Sequence, residues 1–260
     1  MPFEVCAVIP TYDNPATIRS VIEAVSVHLP IVVIDDGSGH EGRAAVLAAG
    51  KFPGVTVKIR EKNGGKGAAV TTGLDLARQL GYTHALQIDA DGQHAISDIP
   101  GFLAQARARP QALILGSPRY DDSAPLARLI GRRITRFWTN VETMGRVIDD
   151  PMCGFRVYPL DATCPVAPRC GRRMEFDIEV AVRLVWQGCS VVNQPTLVQY
   201  PSDGISHFSL FADNMRISGM HARLSVEGVL RAAERRLTSV RRGERLPAVP
   251  GQLENGGYDR

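Results

Sequence analysis

His84-Ala85-Leu86-Gln87-Ile88-Asp89-Ala90-Asp91-Gly92-Gln93 passes from a short apolar run into a turn with two carboxylates at alternate positions. A short apolar run closed by a turn reads as a strand buried on both faces. Alternate residues just past a strand end can aim two carboxylates at one point. Hard cations such as Mg²⁺ or Mn²⁺ take oxygen ligands and keep open positions for substrate phosphates. Asp89 and Asp91 are therefore candidate metal ligands, and a cation there would act as a Lewis acid on a departing diphosphate. Taken alone, Asp and Gly are also ordinary residues of a solvated turn. The apolar run before them, and the motifs around them, favour the metal reading.

Working outward, strand-like and helix-like segments alternate. Strands are predicted at Val5 to Ile9, Ile31 to Ile34, Val55 to Ile59, His84 to Ile88 and Ala112 to Leu115. Helices are predicted at Asn14 to His28, Glu41 to Ala49, Gly65 to Leu80 and Ser97 to Ala108. This alternation implies a parallel sheet with crossover helices. Polar motifs follow the strand ends: Thr11-Tyr12, Asp35-Asp36, Asn63-Gly64-Gly65-Lys66 and Asp89-Ala90-Asp91. Ligands of open α/β sheets bind beyond the carboxyl ends of the strands, so a ligand site is expected at that edge. From about Pro118 the alternation breaks. Helices are expected at Leu126 to Met144, Asp177 to Gln187 and from Leu210 onward, with a polar turn at Asp149 to Arg156 and short strands at Val191 to Val192 and Thr196 to Val198.

Asp35-Asp36-Gly37-Ser38 offers a carboxylate to a nucleobase or ribose hydroxyl. It also reads as a turn with Ser38 as helix cap, and both can hold, since recognition needs only one Asp. Asn63-Gly64-Gly65-Lys66-Gly67 opens a helix, where glycines permit close approach and the N-terminus favours anions. It is not a P-loop, because Gly67 stands where Ser or Thr should hold magnesium.

Residues 4 to about 207 resemble a family-2 glycosyltransferase of the GT-A fold. The resemblance rests on Val8-Ile9-Pro10-Thr11-Tyr12, Val33 to Ser38, Asn63-x-Gly65-Lys66-Gly67-Ala68-Ala69 and Asp89-Ala90-Asp91. Asp150-Pro151-Met152-Cys153-Gly154-Phe155-Arg156 resembles the Asp-x-x-x-Gly-Phe-Arg turn of the polyprenol-phosphate sugar transferases, the dolichyl-phosphate mannose synthase group. The resemblance implies an α/β GT-A fold with a mostly parallel central sheet, helices on both faces and a helical C-terminal extension. It implies inverting transfer from a nucleotide-sugar donor, with Gln93 joining Asp89 and Asp91 as a metal ligand. Pro10, Tyr12 and Asp36 would line the nucleoside pocket. The wider donor set is Pro10, Thr11, Tyr12, Asp13, Asn14, Asp35, Asp36, Gly65, Lys66, Asp89 and Ala90. Asn14 departs from the family, which usually has Glu there. Asp177, Asp150 and Arg156 are the catalytic candidates. Asp177 occupies the place of the family's general base; acids at a helix start are also favoured by the helix dipole, and an ionised phosphate acceptor needs no base.

Guanidinium forks suit phosphate. Arg119, Arg128, Arg132, Arg133 and Arg156 are thus candidates for an anionic acceptor, although a solvated helix face also explains arginines. In Pro201-Ser202-Asp203-Gly204-Ile205-Ser206-His207, Pro201 and His207 replace the Arg and Lys that bind acceptor phosphate in the polyprenol-phosphate group. Arg119, Arg132 and His207 make up the acceptor set.

Val226, Val229, Leu230, Ala233, Leu237 and Val240 form a helical stripe beside Arg231, Arg235, Arg236, Arg241 and Arg242. Such a helix suits an anionic bilayer surface, or it packs on the domain. The expected organisation is a catalytic domain at 1–207, a basic helical extension at 208–245 and a flexible tail at 246–260. With 260 residues, 44% of them hydrophobic, the chain can bury a large core, and its net charge of +3 gives no sign of a nucleic-acid partner. The five cysteines form no C-x-x-C pair, so neither a disulfide framework nor a zinc site is expected. No apolar run has the length of a membrane span and no leader pattern is visible, so the expected place is the cytoplasm, peripheral to the membrane's inner face. A lipid-linked acceptor is the expected partner. A nucleotidyltransferase or a non-catalytic binding module are the alternatives; Pro10-Thr11-Tyr12 lacks the glycine-rich basic signature of the first, and the Asp89/Asp91 pair argues against the second.

Overall fold

A computed structural model describes residues 2–120, 126–145, 147–198 and 210–242. The strands are β1 (Val5–Thr11), β2 (Ile31–Asp35), β3 (Val55–Ile59), β4 (His84–Gln87), β5 (Leu113–Tyr120), β6 (Arg156–Pro159) and β7 (Val191–Val198). The helices are α1 (Ile18–Ser26), α2 (His40–Ala49), α3 (Lys66–Gln79), α4 (Ile99–Ala108), α5 (Leu126–Glu142), the single turn α6 (Leu160–Thr163), α7 (Phe176–Trp186) and α8 (Leu210–Arg242). Among the described residues the strands form one sheet in the order β3-β2-β1-β4-β6-β5-β7. Pairings are parallel except those of β6, which runs antiparallel to both β4 and β5. The expected α/β architecture, with a mostly parallel sheet, is present.

The apolar runs are continuous because both sheet faces are covered. Along β1, Cys6 and Val8 face one core with Leu74 and Ala77 of α3 and Val180 of α7. Ala7 and Ile9 face the other core with Ile18 and Ile22 of α1, Val46 of α2 and Phe102 of α4. Gly73 lets α3 lie directly on the sheet, since a Cβ there would come 2.4 Å from Val8 Cγ1.

Element boundaries depart from expectation in three informative places. The helix expected from Ser97 begins as α4 at Ile99 after a short 3₁₀ turn at Ile96–Asp98, with Pro100 in the first helical turn, where proline fits. The two short strands expected around Pro195 are one strand, β7, which lies at the sheet edge, where proline is tolerated. β6 was not expected at all. It starts at Arg156 opposite Gln87 at the end of β4, which carries the preceding turn to the edge where the parallel strands end.

α7 is apolar around most of its circumference because it is covered on two sides. Phe176, Val180 and Leu184 face the sheet, while Ile178, Val182 and Trp186 meet Ile217, Met220 and Leu224 of α8. Ion pairs tie the same helices: Arg223 to Glu179 at 2.6 Å and Arg183 to Glu227 at 3.0 Å. The first half of α8 therefore packs on the domain. Val226, Val229 and Leu230 of the expected stripe are exposed. Leu237, Val240, Arg235, Arg236, Arg241 and Arg242 have side chains outside the described set, and the tail at 246–260 is also outside it. Among the described residues no helix is long and apolar enough to cross a membrane.

Candidate active site

β1 has β2 on one side and β4 on the other, so the chain reverses its direction of sheet growth at β1. A crevice opens at such a switch point beyond the strand ends. Here it is a cleft of about 760 Å³. Pro10, Thr11, Tyr12, Asn14, Asp36, Gly65, Lys66, Asp89, Ala90, Asp91, Gln93, Arg132 and Asp177 all line it. The expected donor and metal residues thus converge, apart from Asp13 and Asp35.

Those two hold the loops instead. Asp13 accepts the Gly39 N–H through Oδ1 at 2.8 Å, and its own N–H donates to Ser38 Oγ at 2.9 Å. Asp35 is fully buried and accepts the Ser38 N–H at 3.0 Å. Asp36 reaches the cleft, but its carboxylate is also occupied. It accepts the Gly64 and Gly65 N–H groups, the latter at 2.7 Å, and pairs with Arg60. Asp36 thereby shapes the loop that starts α3. Asp36→Ala is expected to lower donor affinity and thermal stability together, since removing one member of a buried pair costs about 3 kcal/mol or more. A variant that melts with the wild type in scanning calorimetry contradicts that structural role.

Asp89 and Asp91 sit just past β4. The Ala90 carbonyl between them accepts Thr17 Oγ1–H at 2.6 Å, and Asp91 Oδ1 accepts the Gln93 N–H at 3.1 Å. Asp89 Oδ2 receives the Lys66 ammonium at 2.8 Å, while Asp89 Oδ1 is buried without a hydrogen-bond partner. Burial pushes the Asp89 pKa upward, but Lys66 and then His94 outweigh it and hold the carboxyl well below its ordinary range. Burial, and next the Asp89 charge, raises Asp91. An orphaned carboxylate oxygen beside a second, repelled carboxylate and the Gln93 amide is a hard-oxygen donor set that fits a divalent cation. Gly154 brings the turn before β6 onto Asp89, where a Cβ would lie 2.2 Å from Oδ2.

Three expected residues sit differently. Arg156 was expected to meet substrate; its guanidinium is wholly buried and donates to the carbonyls of Cys153, Pro151 (3.1 Å) and Asp177 (2.7 Å). It is an internal brace, because the turn and the start of α7 close over it. Asp150 is buried, accepts the Met152 N–H at 2.8 Å and pairs with Arg132 at 2.5 Å, so it ties the turn to α5 rather than lining the cleft. Arg119 is exposed on β5, away from the cleft lining. His207 lies outside the described residues.

Asp177 lines the cleft with both oxygens engaged. Oδ1 accepts Gln87 Nε2–H at 3.2 Å and Oδ2 meets Lys66 at 2.8 Å. Sequence reading missed Arg173, exposed at the cleft beside Gly65, and Asp213, Asn214 and Ile217 from the first turns of α8. The Arg172-Arg173 pair just before α7 was the available signal for the first. For the α8 residues no local pattern marks a cleft wall.

Residues 6–160 match the model of glycosyl transferase family 2. The chain is similar to polyprenol monophosphomannose synthase of Mycolicibacterium smegmatis, 28% identical over 78% of this chain and 80% of that one. It is similar to UDP-N-acetylglucosamine–dolichyl-phosphate N-acetylglucosaminyltransferase of Methanococcus voltae, 27% identical over 60% of this chain and 69% of that one. Its fold is that of glucosyl-3-phosphoglycerate synthase from Mycobacterium tuberculosis, solved with Mn²⁺, UDP and phosphoglyceric acid. The TM-score is 0.63 at 14% identity, covering 87% of this chain and 77% of that one. With the two-carboxylate turn at the switch point of a GT-A sheet and the family model covering more than half of its length, the chain belongs to glycosyl transferase family 2.

Proposed function

We propose that the chain moves a sugar, with inversion, from a nucleotide-diphosphate sugar to a lipid-linked phosphate, with Mg²⁺ or Mn²⁺ held by Asp89, Asp91 and Gln93. The observation that carries the donor half is the buried, unpartnered Asp89 Oδ1 in a cleft shared with Asp91 and Asp36. A cation there would neutralise the departing diphosphate. Pro10, Tyr12 and Asp36 sit where a nucleoside would enter, and the N-terminus of α3, with Lys66 as its first residue, favours the diphosphate charge. The Mn²⁺ and UDP bound by the mycobacterial synthase, the dolichyl phosphate in the name of the Methanococcus relative and the polyprenol monophosphomannose in that of the Mycolicibacterium one agree with this reading.

The acceptor half rests on the residues that α5, α7 and α8 and the loop before α7 bring to the cleft. Asp177 has both oxygens engaged, which suits an acceptor that arrives ionised and needs no base. The Arg173 guanidinium is exposed at the cleft and suits a phosphate. α5 and α8 contribute Arg132, Thr135, Asn214 and Ile217. Their outer faces expose Ile130, Ile134, Phe137, Trp138 and Val141 on α5, and Phe211 and Met215 on α8. An apolar ridge beside a cleft suits a lipid surface that presents the acceptor. It adds α5 to the basic α8 helix as a membrane contact.

The chain has two tryptophans, and only Trp138 is substantially exposed, at 41% against 9% for Trp186. Adding anionic phospholipid vesicles is expected to shift tryptophan emission to the blue and to sediment the protein. Phe137→Ser with Trp138→Ser is expected to weaken partitioning at least ~10-fold, two exposed aromatics being worth more than ~1.4 kcal/mol on burial. Wild-type protein that stays in the supernatant at low salt, with unchanged emission, points instead to a soluble phosphorylated acceptor.

A further inference from the structure

We infer that Lys66 is the counter-ion that holds the Asp89 position in the metal-free enzyme, and that Asp177 is the second carboxylate that keeps Lys66 in the cleft when it leaves Asp89. This rests on the reading of Asp89 and Asp91 as the cation site.

The geometry is a three-membered ion cluster. Lys66 Nζ lies 2.8 Å from Asp89 Oδ2 and 2.8 Å from Asp177 Oδ2, with all three side chains largely buried. Asp177 is the fixed member. Gln87 donates to its Oδ1 and is itself held by the Tyr158 hydroxyl at 3.0 Å, while Arg156 grips the Asp177 carbonyl from inside the protein. Asp89 is the incomplete member, with one oxygen on Lys66 and one without a partner. The backbone of Lys66 is also fixed. Gly65 sits at φ +96°, and the Ala68 N–H donates to the Arg172 carbonyl at 2.9 Å, which seats the start of α3 against the loop before α7.

Asp89, Asp91 and Asp177 bring three negative charges to this spot, against Lys66 and the buried Arg156. Without Lys66, only His94 among the described residues, 3.7 Å from Asp89 Oδ2, is left beside Asp89 to offset its repulsion by Asp91 and Asp177. When a divalent cation is bound at Asp89 Oδ1, an ammonium on Oδ2 of the same carboxylate is repelled. Lys66 then gives up Asp89 but stays on Asp177, at a helix N-terminus suited to an anion. The ammonium is left beside the donor diphosphate. Asp177 in this account is a positioning residue that acts through Lys66, and not the acceptor of a proton.

The two partners make opposite predictions for metal affinity, measured by titration calorimetry of the donor-free enzyme with Mn²⁺. Lys66→Met removes the competing charge and is expected to tighten Mn²⁺ at least ~10-fold. Asp177→Asn leaves Lys66 with Asp89 alone and is expected to weaken Mn²⁺ several-fold, while both variants lose turnover. If Lys66→Met proves too unstable for calorimetry without metal, the Mn²⁺-induced rise in its melting temperature is the second readout, expected to exceed that of the wild type. Unchanged or weaker Mn²⁺ binding by Lys66→Met overturns the inference. So does an Asp177→Asn enzyme that has lost turnover at wild-type Mn²⁺ affinity, which is the behaviour of a general base. Wild-type protein that binds no Mn²⁺, with or without UDP, overturns the cation site itself, and this inference with it.

Discussion

Asp91→Asn is expected to lower sugar transfer at least ~10²-fold in saturating Mn²⁺, the scale of losing one main electrostatic stabiliser of a departing group. The replacement keeps the shape of the side chain, including an oxygen that can accept the Gln93 N–H, so the turn should persist. What changes is charge. In the metal-free protein Asp91 is held near Asp89 at an electrostatic cost, which is why burial and Asp89 push its pKa up. Removing that charge is therefore expected to leave the metal-free enzyme no less stable than the wild type while catalysis collapses. Steady-state kinetics on the released nucleoside diphosphate, paired with thermal melts in chelator, separate the two effects. Turnover within a few-fold of wild type in saturating Mn²⁺ removes Asp91 from the site.

Gly154→Ala is expected to be nearly as damaging. The added methyl would stand 2.2 Å from Asp89 Oδ2 and 2.6 Å from its Cγ. All three atoms of the Asp89 carboxylate lie under 3 Å from that methyl, so either the turn lifts or Asp89 swings away from Lys66. Turnover is expected to fall about 10²-fold, since displacing a positioned group by an ångström costs that much. Mn²⁺ affinity is expected to fall with it. Gly219→Ala is the control, because a Cβ there meets nothing within 4 Å and α8 gains a better helix former. Equal turnover in the two variants means that the turn does not hold Asp89 in place.

The parallel half of the sheet was legible because buried parallel strands write themselves as unbroken apolar runs with polar motifs at their ends. β1, β2 and β4 and the polar motifs after them follow from that rule, while β3 at the sheet edge alternates, with Thr56 and Lys58 exposed. β6 was not legible. Arg156-Val157-Tyr158-Pro159 is four residues long, has no alternation, and begins with a charge that only the tertiary structure neutralises. Arg156 itself shows how a motif misleads. Its type and place suggested contact with an anion, yet its hydrogen bonds go to three carbonyls that converge only after folding. Asp35 and Asp36 are adjacent and alike in sequence; the strand pleat and turn send one to Ser38 and the other to the cleft. The cleft wall proposed for the acceptor was the least legible part. It joins α5, the loop around Arg173 and the start of α8, and segments so far apart in the chain share no local pattern.

α8 also has a mechanical meaning. It contributes Asn214 and Ile217 to the cleft, is clamped to α7 by Leu224 and the Arg223 and Arg183 ion pairs, and then continues to Arg242. At the rise of an α-helix the rod extends roughly 38 Å beyond Ile217. The clamp lies nearer the cleft end, so the helix is a lever with its shorter arm at the cleft. About Leu224 the arms are roughly 15 Å to Asn214 and roughly 27 Å to Arg242, so a sideways displacement at the tip reaches Asn214 at roughly half its size and in the opposite sense. Whatever grips the far end of α8 thus moves the cleft wall and strains the α7 contact.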